Sequence, residues 1–249
     1  MFADTVFKTY SILNHFRLLL TVSFVISMIT ANGQSPPTNA NTQTAWGNNI
    51  LRTFDLAERG LEGPMHLLDE YVKATVVWKV GGDSSVTDAG NYHLYLDQFV
   101  FVEDGEEKSV DFERIKLFRL ESAGLQREFI HTTLLSARQF EGKTSYLQKI
   151  YYDENKPISA WEYWFINEVP PNYNEALNTG SKNTMLKRRS QYVLLKEGVW
   201  YMNFKLKKGT IREVFPDRAT ELTKYVKNNR LDNANQSFLQ FVNYVNSLY

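Results

Sequence analysis

Short β-like segments separated by turn signals dominate the middle of the chain and limit the folds that it can adopt. Between residues 71 and 169, runs rich in Val, Ile, Thr, Phe and Tyr alternate with Gly, Asp and Asn. The dipeptide Asp104-Gly105 is the strongest hairpin signal among them, and further strands are expected at 191–198 and 199–207. Short strands with turns between them favour antiparallel pairing over βαβ units. The sequence therefore predicts a mainly β (α+β) fold, built as an antiparallel β meander or barrel-like sheet.

The C-terminal segment has a different period. From residue 217 onward, apolar residues recur every three or four positions, as they do in amphipathic helices. Asp217 and Asn233 are suited to cap two such helices, whereas the TIREVF segment at 210–215 is predicted to be a strand. Helices this short are marginal alone, so we expect the pair to be docked on the sheet. Their apolar stripes are Leu222, Tyr225 and Val226 on one helix, and Phe238, Phe241, Val242 and Val245 on the other.

The N-terminal region has the features of an export signal. Residues 18–29 form the longest uncharged apolar run, which is shorter than the roughly 20 residues that span a bilayer. Lys8 and Arg17 precede this run, and the small residues Ala31 and Gly33 follow it where a signal peptidase would cut. We expect an exported protein, located in the periplasm, associated with the outer membrane, or extracellular. A buried core helix and an uncleaved N-terminal anchor are the alternatives.

These patterns divide the chain into four regions. Residues 1–33 are predicted to be a signal peptide, after whose cleavage no membrane span is expected. Residues 34–46 are rich in Pro, Asn and Thr and are predicted to be a flexible linker. Residues 47–216 are predicted to form the antiparallel β-rich domain, and 217–249 a helical pair packed on that domain.

Composition excludes several classes of function. The chain has 249 residues with 28 basic and 28 acidic side chains, and this balance argues against a nucleic-acid partner. The chain has no cysteine, which removes disulfides, thiol catalysis, zinc–thiolate sites and a lipid-modified cysteine. Its size allows a core that is held together by burial alone.

Known catalytic and metal-binding motifs are absent from the sequence. There is no GxSxG, SxxK or P-loop motif, and His66, His93 and His131 lie 27 and 38 residues apart without zinc-site spacing. We therefore predict no catalytic residue, no metal site and no cofactor, and expect each of these histidines to be exposed or half-buried. The acidic run at 103–107 is interpreted as a solvated turn, with weak calcium binding as the alternative.

Aromatic residues are the one positive functional signal, with 16 Phe, 14 Tyr and 5 Trp. Trp161, Tyr163 and Phe165 alternate along one predicted strand and therefore share a face. An exposed aromatic row can stack on sugar rings or hold an extended peptide, so these three are the candidate ligand-binding residues. Packing in the core is the alternative explanation for the same pattern.

The C-terminal motifs resemble a known group of proteins. The segment 207–217 contains Phe-Pro-Asp and is followed by YVKNNRLD and FVNYVN. This "FPD…YVKxNxLD…FVxYxN" tail is similar to that of uncharacterised exported proteins of Bacteroidetes. The resemblance implies a β-rich domain of the cell envelope, and it supplies no activity and no catalytic residues.

Together these observations predict an exported cell-envelope protein with a non-enzymatic binding or structural role. The alternative is a glycan- or small-ligand-binding module, including a carbohydrate-active enzyme, that uses the aromatic strand face. In either case the expected partner is an envelope protein or a glycan.

Overall fold

The structure is a computed structural model, and it describes residues 50–52 and 60–249. The predicted signal peptide (1–33) and linker (34–46) lie outside the described residues. The strands are β1 (Ile50–Arg52), β2 (Leu61–Glu62), β3 (Val72–Trp78), β4 (Ser84–His93), β5 (Gln98–Glu103), β6 (Glu106–Val110), β7 (Ile115–Ser122), β8 (Leu125–His131), β9 (Tyr146–Tyr151), β10 (Ile158–Val169), β11 (Thr184–Lys196) and β12 (Val199–Phe204). The α-helices are α1 (Lys208–Val214), α2 (Ala219–Asn228) and α3 (Asn235–Ser247).

Eleven of these strands form one continuous antiparallel path. Their spatial order is β1-β6-β5-β4-β3-β7-β8-β9-β10-β11-β12, and the short strand β2 pairs with β11 in parallel. Most neighbours in this order are also neighbours along the chain, as in a meander. The predicted mainly β fold, with C-terminal helices packed on an antiparallel sheet, is confirmed.

Two-residue turns set the register of the hairpins. Asp104 and Gly105 both have positive φ, at 54° and 78°, as a type I′ turn between β5 and β6 requires. Glycine tolerates this left-handed conformation without a steric cost. The same pattern joins β7 to β8 and β11 to β12, with positive φ at Ala123-Gly124 and Glu197-Gly198.

A stretch before β3, the closing segment (residues 61–69), links two distant strands of the sheet. Its first residues are β2, which pairs with β11. Further along, the Leu67 N–H donates to the carbonyl of Tyr92, and the Leu94 N–H donates to the carbonyl of Met65, both at 2.8 Å. The closing segment therefore joins β11 to the end of β4 by backbone hydrogen bonds. With it, β3, β4 and β7 to β11 form a ring, which explains the barrel-like character of the sheet.

Arg188 on β11 fixes the position of the closing segment. Its Nη1 donates to the carbonyl oxygen of Leu67 at 2.7 Å, and its Nη2 lies 2.5 Å from the Asp69 carboxylate. Because Asp69 is largely exposed, the ion pair itself adds little stability. The bond to the Leu67 carbonyl matters more, since it satisfies a polar backbone group beside the core.

Buried apolar residues form three clusters around the sheet. The inner cluster lies within the ring, the helix cluster lies between the helices and β9 to β12, and the outer cluster lies on the opposite face of β9 to β12. Representative members are Ala74, Phe99, Phe118, Phe129 and Tyr146 in the inner cluster, Ala160, Leu194, Phe204, Phe238 and Phe241 in the helix cluster, and Phe140, Leu147, Trp161 and Val193 in the outer cluster.

The helical tail begins earlier than its sequence suggests. The predicted strand at 210–215 is wrong, because this segment forms most of α1. Ile211 and Val214 are buried in the helix cluster, and their three-residue spacing places both on one side of a helix. The β-branched residues of TIREVF favour a strand locally, but packing against the sheet decides the conformation.

The two predicted helix caps are also wrong. Asp217 lies in a 3₁₀ turn, and α2 begins after Arg218 without a side-chain cap. The Oδ1 of Asn233 accepts a hydrogen bond from the Leu206 N–H at 2.9 Å, while α3 begins at Asn235. Asn233 therefore fastens the tail to the chain after β12 instead of capping a helix.

Docking of the tail generates a stability prediction. Phe241 on α3 is 0% exposed, so Phe241→Ala should lower the free energy of unfolding by about 3–5 kcal/mol, because it leaves a cavity. Leu239→Ala on the same helix is the control; Leu239 is 36% exposed, and a change of about 0.5 kcal/mol is expected. Chemical denaturation of both variants measures the difference, and equal effects would contradict the docked arrangement.

Candidate functional site

The aromatic row on β10 runs from the core to the surface. Trp161 is 0% exposed in the outer cluster, and its Nε1 donates to the Ser159 hydroxyl at 2.9 Å. Tyr163 and Phe165 have intermediate exposure, and their rings stack with centroids 5.1 Å apart. Trp161 therefore belongs to the core, while Tyr163 and Phe165 remain the candidate ligand-binding residues.

The exposure of this pair follows from the lengths of the neighbouring strands. β9 pairs with β10 only at residues 160–162, whereas β11 pairs with β10 as far as Val169. Beyond Glu162, the ladders among the described residues therefore support β10 on one side only. The Tyr163 ring also packs against the outer cluster, with an edge-on approach to Phe140 at 5.9 Å.

A depression of about 430 Å³ lies beside this end of β10. We call it the groove, and its walls combine aromatic with charged side chains. The charged residues come from the turn after β4, from the chain before β9, and from β10 itself. The residues that define the groove here are Asp97, Lys143, Tyr163, Trp164, Phe165 and Glu168.

Asp97 anchors one wall of the groove. Its backbone is left-handed (φ 56°), and its carboxylate accepts hydrogen bonds from the Tyr92 hydroxyl, the Thr144 hydroxyl at 3.1 Å and the Ser145 N–H at 2.6 Å. Burial raises the pKa of Asp97, and the donated hydrogen bonds oppose that rise. The carboxylate thus ties the turn after β4 to the start of β9 and holds the wall in place.

Two charged side chains at the groove are exposed to solvent. Lys143 supplies a donor and Glu168 supplies an acceptor to the lining. The Tyr163 hydroxyl lies 3.5 Å from the carbonyl of Lys143, so the aromatic platform and this cationic residue are adjacent. The groove therefore presents a flat apolar surface next to polar groups of both signs.

A second candidate cluster of side chains, which the spacing of the histidines in the sequence does not predict, lies beside the closing segment. The closing segment places His66 against His93 as a β-bridge, with ring centroids 4.6 Å apart. The Nε2 of His66 lies 2.7 Å from Oε2 of Glu107, which also accepts a hydrogen bond from the Tyr71 hydroxyl. One ligand atom from each of His66, His93 and Glu107 lies within 4.8 Å of the others, so these residues could hold a metal ion.

His93 is the buried member of this histidine cluster, at 3% exposed. Its Nδ1 accepts a hydrogen bond from the Leu96 N–H at 3.1 Å, which assigns the proton of the neutral ring to Nε2. Burial, reinforced by the nearby His66, lowers the pKa of His93 to about 4. The imidazole is therefore neutral at physiological pH.

His131 lies apart from that cluster and is also buried, at 4% exposed. Its Nδ1 accepts hydrogen bonds from the Thr133 N–H and hydroxyl, at 3.2 and 2.8 Å. Burial, with a smaller contribution from Lys79, lowers the pKa of His131 to about 4. The expectation that these histidines are exposed or half-buried is wrong for His93 and His131.

The acidic run at 103–107 is only partly a solvated turn. Asp104, Gly105 and Glu106 are exposed at the hairpin tip. Glu103 lies 2.5 Å from the Lys108 ammonium, and Glu107 belongs to the histidine cluster. The two ends of the run are therefore engaged in specific contacts.

Comparison with protein-family models, curated proteins and solved structures gives no match. None of the helices in the described part of the chain is long and apolar enough to cross a membrane.

The environment of His131 generates a prediction about pH. Because its pKa is about 4 in the folded state and near 6.5 when unfolded, the unfolded chain binds more protons between these values. Its contribution to stability is therefore present above pH 6.5 and is lost as the pH falls to about 4, a loss of about 3 kcal/mol for this difference in pKa.

Asn is the informative replacement, because its side-chain oxygen can still accept from the Thr133 N–H but does not titrate. Denaturant unfolding of the wild type and His131→Asn between pH 7 and pH 4 tests the prediction. The stability of the variant should fall less steeply, and parallel curves would show that His131 does not contribute to the pH dependence.

Proposed function

We propose that the protein is an exported cell-envelope protein that acts by binding, and that the groove beside β10 takes a glycan or a similar polar ligand. The observation that carries this proposal is the stacked Tyr163–Phe165 pair, which stays partly exposed where β9 no longer covers β10. This pair lies in a solvent-accessible depression and offers a rigid stacking surface. Exposure of apolar rings does not stabilise the fold, and exposed apolar surface of this kind marks binding sites.

The composition of the groove favours a sugar over a purely apolar ligand. A sugar ring has an apolar face that stacks on an aromatic ring, and hydroxyl groups around its edge that need donors and acceptors. Tyr163 and Phe165 can supply the stacking surface, while Lys143 and Glu168 supply the polar groups. A fully apolar ligand would leave these charged groups desolvated without partners, which is costly.

The state of Asp97 supports binding in preference to catalysis. Its carboxylate already accepts three hydrogen bonds from groups of the protein itself. A nucleophile or a general base needs access to the substrate, and these donors direct the Asp97 oxygens toward the wall instead. A non-enzymatic role therefore fits the groove best.

The exported location is supported by the sequence of residues 1–33. The apolar run at 18–29, the preceding basic residues and the small residues Ala31 and Gly33 have the order of a cleavable signal. The C-terminal resemblance to exported Bacteroidetes proteins supports the same location, and the envelope is where glycans and their binding proteins meet.

A glycan array followed by calorimetry with the best-binding oligosaccharide tests the groove. Tyr163→Ala and Phe165→Ala should each weaken binding by roughly tenfold, because each removes part of the stacking surface. Tyr249→Ala is the matched control, since Tyr249 is 57% exposed and lies outside the groove. Equal affinities for all three variants, or no binding to any glycan, would contradict the proposed role.

Export has its own test. The full chain should be processed after Gly33 in a bacterial host, giving a mature protein that begins at Gln34. Mass spectrometry of the intact protein from the periplasmic or extracellular fraction measures this. Ala31→Arg should block processing without changing the folded domain, and an unprocessed wild-type protein in the cytosol would refute the proposal.

A further inference from the structure

We propose that His66, His93 and Glu107 form a binding site for a divalent transition-metal ion such as Zn²⁺. The three side chains come from the closing segment, the end of β4 and β6, and their ligand atoms converge to within 4.8 Å. Two imidazoles and one carboxylate are a donor set that suits zinc and leaves a fourth position for water or another oxygen ligand. This site is separate from the groove, so the inference does not depend on the proposed binding function.

The distances fit a site that needs only small side-chain adjustments. A tetrahedral zinc ion, about 2.0–2.1 Å from each ligand atom, places those atoms roughly 3.3 Å apart. The Nε2 of His66 and Oε2 of Glu107 are 2.7 Å apart, and the widest pair in the cluster is separated by no more than 4.8 Å. Movements on the order of 1 Å therefore bring the three donors to zinc-binding distances.

Tyr71 contacts two of the three proposed ligands. Its hydroxyl oxygen is 3.4 Å from Nε2 of His66, and it donates a hydrogen bond to the Glu107 carboxylate. Hydrogen bonds of this kind orient ligating carboxylates in metal sites. Tyr71 is therefore assigned as a positioning residue, and the three ligands remain His66, His93 and Glu107.

The hydrogen bond of His93 provides a way to distinguish binding at this site from loose association of an ion with the surface. Because the Leu96 N–H bonds to Nδ1 of His93, the nitrogen left for the ion is Nε2. Coordination at Nε2 moves the ring proton to Nδ1, which then no longer accepts from Leu96. Metal binding must therefore change the environment of the Leu96 amide, even though Leu96 itself offers no side-chain ligand.

The site also has a structural consequence. His66 belongs to the closing segment, while His93 and Glu107 lie on strands of the sheet. An ion shared by these residues would fasten the segment to the sheet in addition to the Arg188 contacts. Since it binds the folded state alone, zinc should raise the thermal unfolding midpoint in a concentration-dependent way.

The test uses the full chain without a polyhistidine tag, after treatment with a chelator. Calorimetric titration with Zn²⁺ should give one equivalent bound by the wild type. Each of His66→Ala, His93→Ala and Glu107→Gln should weaken binding by about 100-fold or more, because each removes a ligand. His131→Asn is the matched control, since it replaces a buried histidine outside the cluster and should bind as the wild type does.

Two further readouts decide the interpretation. Zn²⁺ should shift the Leu96 amide resonance in the wild type and His131→Asn, and raise their unfolding midpoints. Circular dichroism establishes that the Glu107→Gln variant is folded. If a histidine variant does not fold, the affinity of this conservative variant still tests the site. Wild-type affinity in folded Glu107→Gln, or binding without a change at Leu96, would show an adventitious ion only and would overturn the proposal.

Discussion

The structure depends on β10, a strand of 12 residues that takes part in all three apolar clusters. Ile158 and Ala160 belong to the helix cluster, Trp161 to the outer cluster, and Trp164 and Ile166 pack against the inner cluster. Residues 160–162 of β10 are paired on both sides, and the first residues of the strand contact the helix cluster on one face and the outer cluster on the other, so this part organises the core. The second half of β10 continues along β11 after β9 has ended, and this difference in strand length creates the groove.

Local signals in the sequence predicted the Asp104-Gly105 hairpin and most of the strand-forming regions, but they did not predict the start of β4 at Ser84, the start of β11 at Thr184 or the helix α1. Asp104-Gly105 predicts its hairpin correctly because a type I′ turn depends on only two residues. The TIREVF segment is compatible with a strand or a short helix when it is considered alone. Its helical conformation is set by the burial of Ile211 and Val214 in the helix cluster. Asn233 is likewise a residue type that often caps helices. In the structure its side chain accepts a hydrogen bond from the distant Leu206 N–H instead.

The candidate sites depend on contacts between residues that are far apart in the sequence, and such contacts cannot be predicted from residue spacing. Trp161 and Tyr163 follow the same alternation in the sequence, but Trp161 lies where β9 pairs with β10 and is buried, whereas Tyr163 lies beyond this pairing and is partly exposed. His66, His93 and Glu107 meet because the closing segment bridges β11 and β4. The aromatic row is visible in the sequence because its period is local, whereas the histidine cluster is not, because its members come from three separate elements.

β10 is one strand with two environments: its first residues are held in the core, and its open end lines the groove. Residue-resolved hydrogen exchange of the backbone amides along 158–169 distinguishes these two environments. We expect strong protection at 158–162, and much faster exchange at 163–169 for those amides that point away from β11. Uniform protection through Val169 would contradict the account, because it would mean that the open edge of β10 is covered.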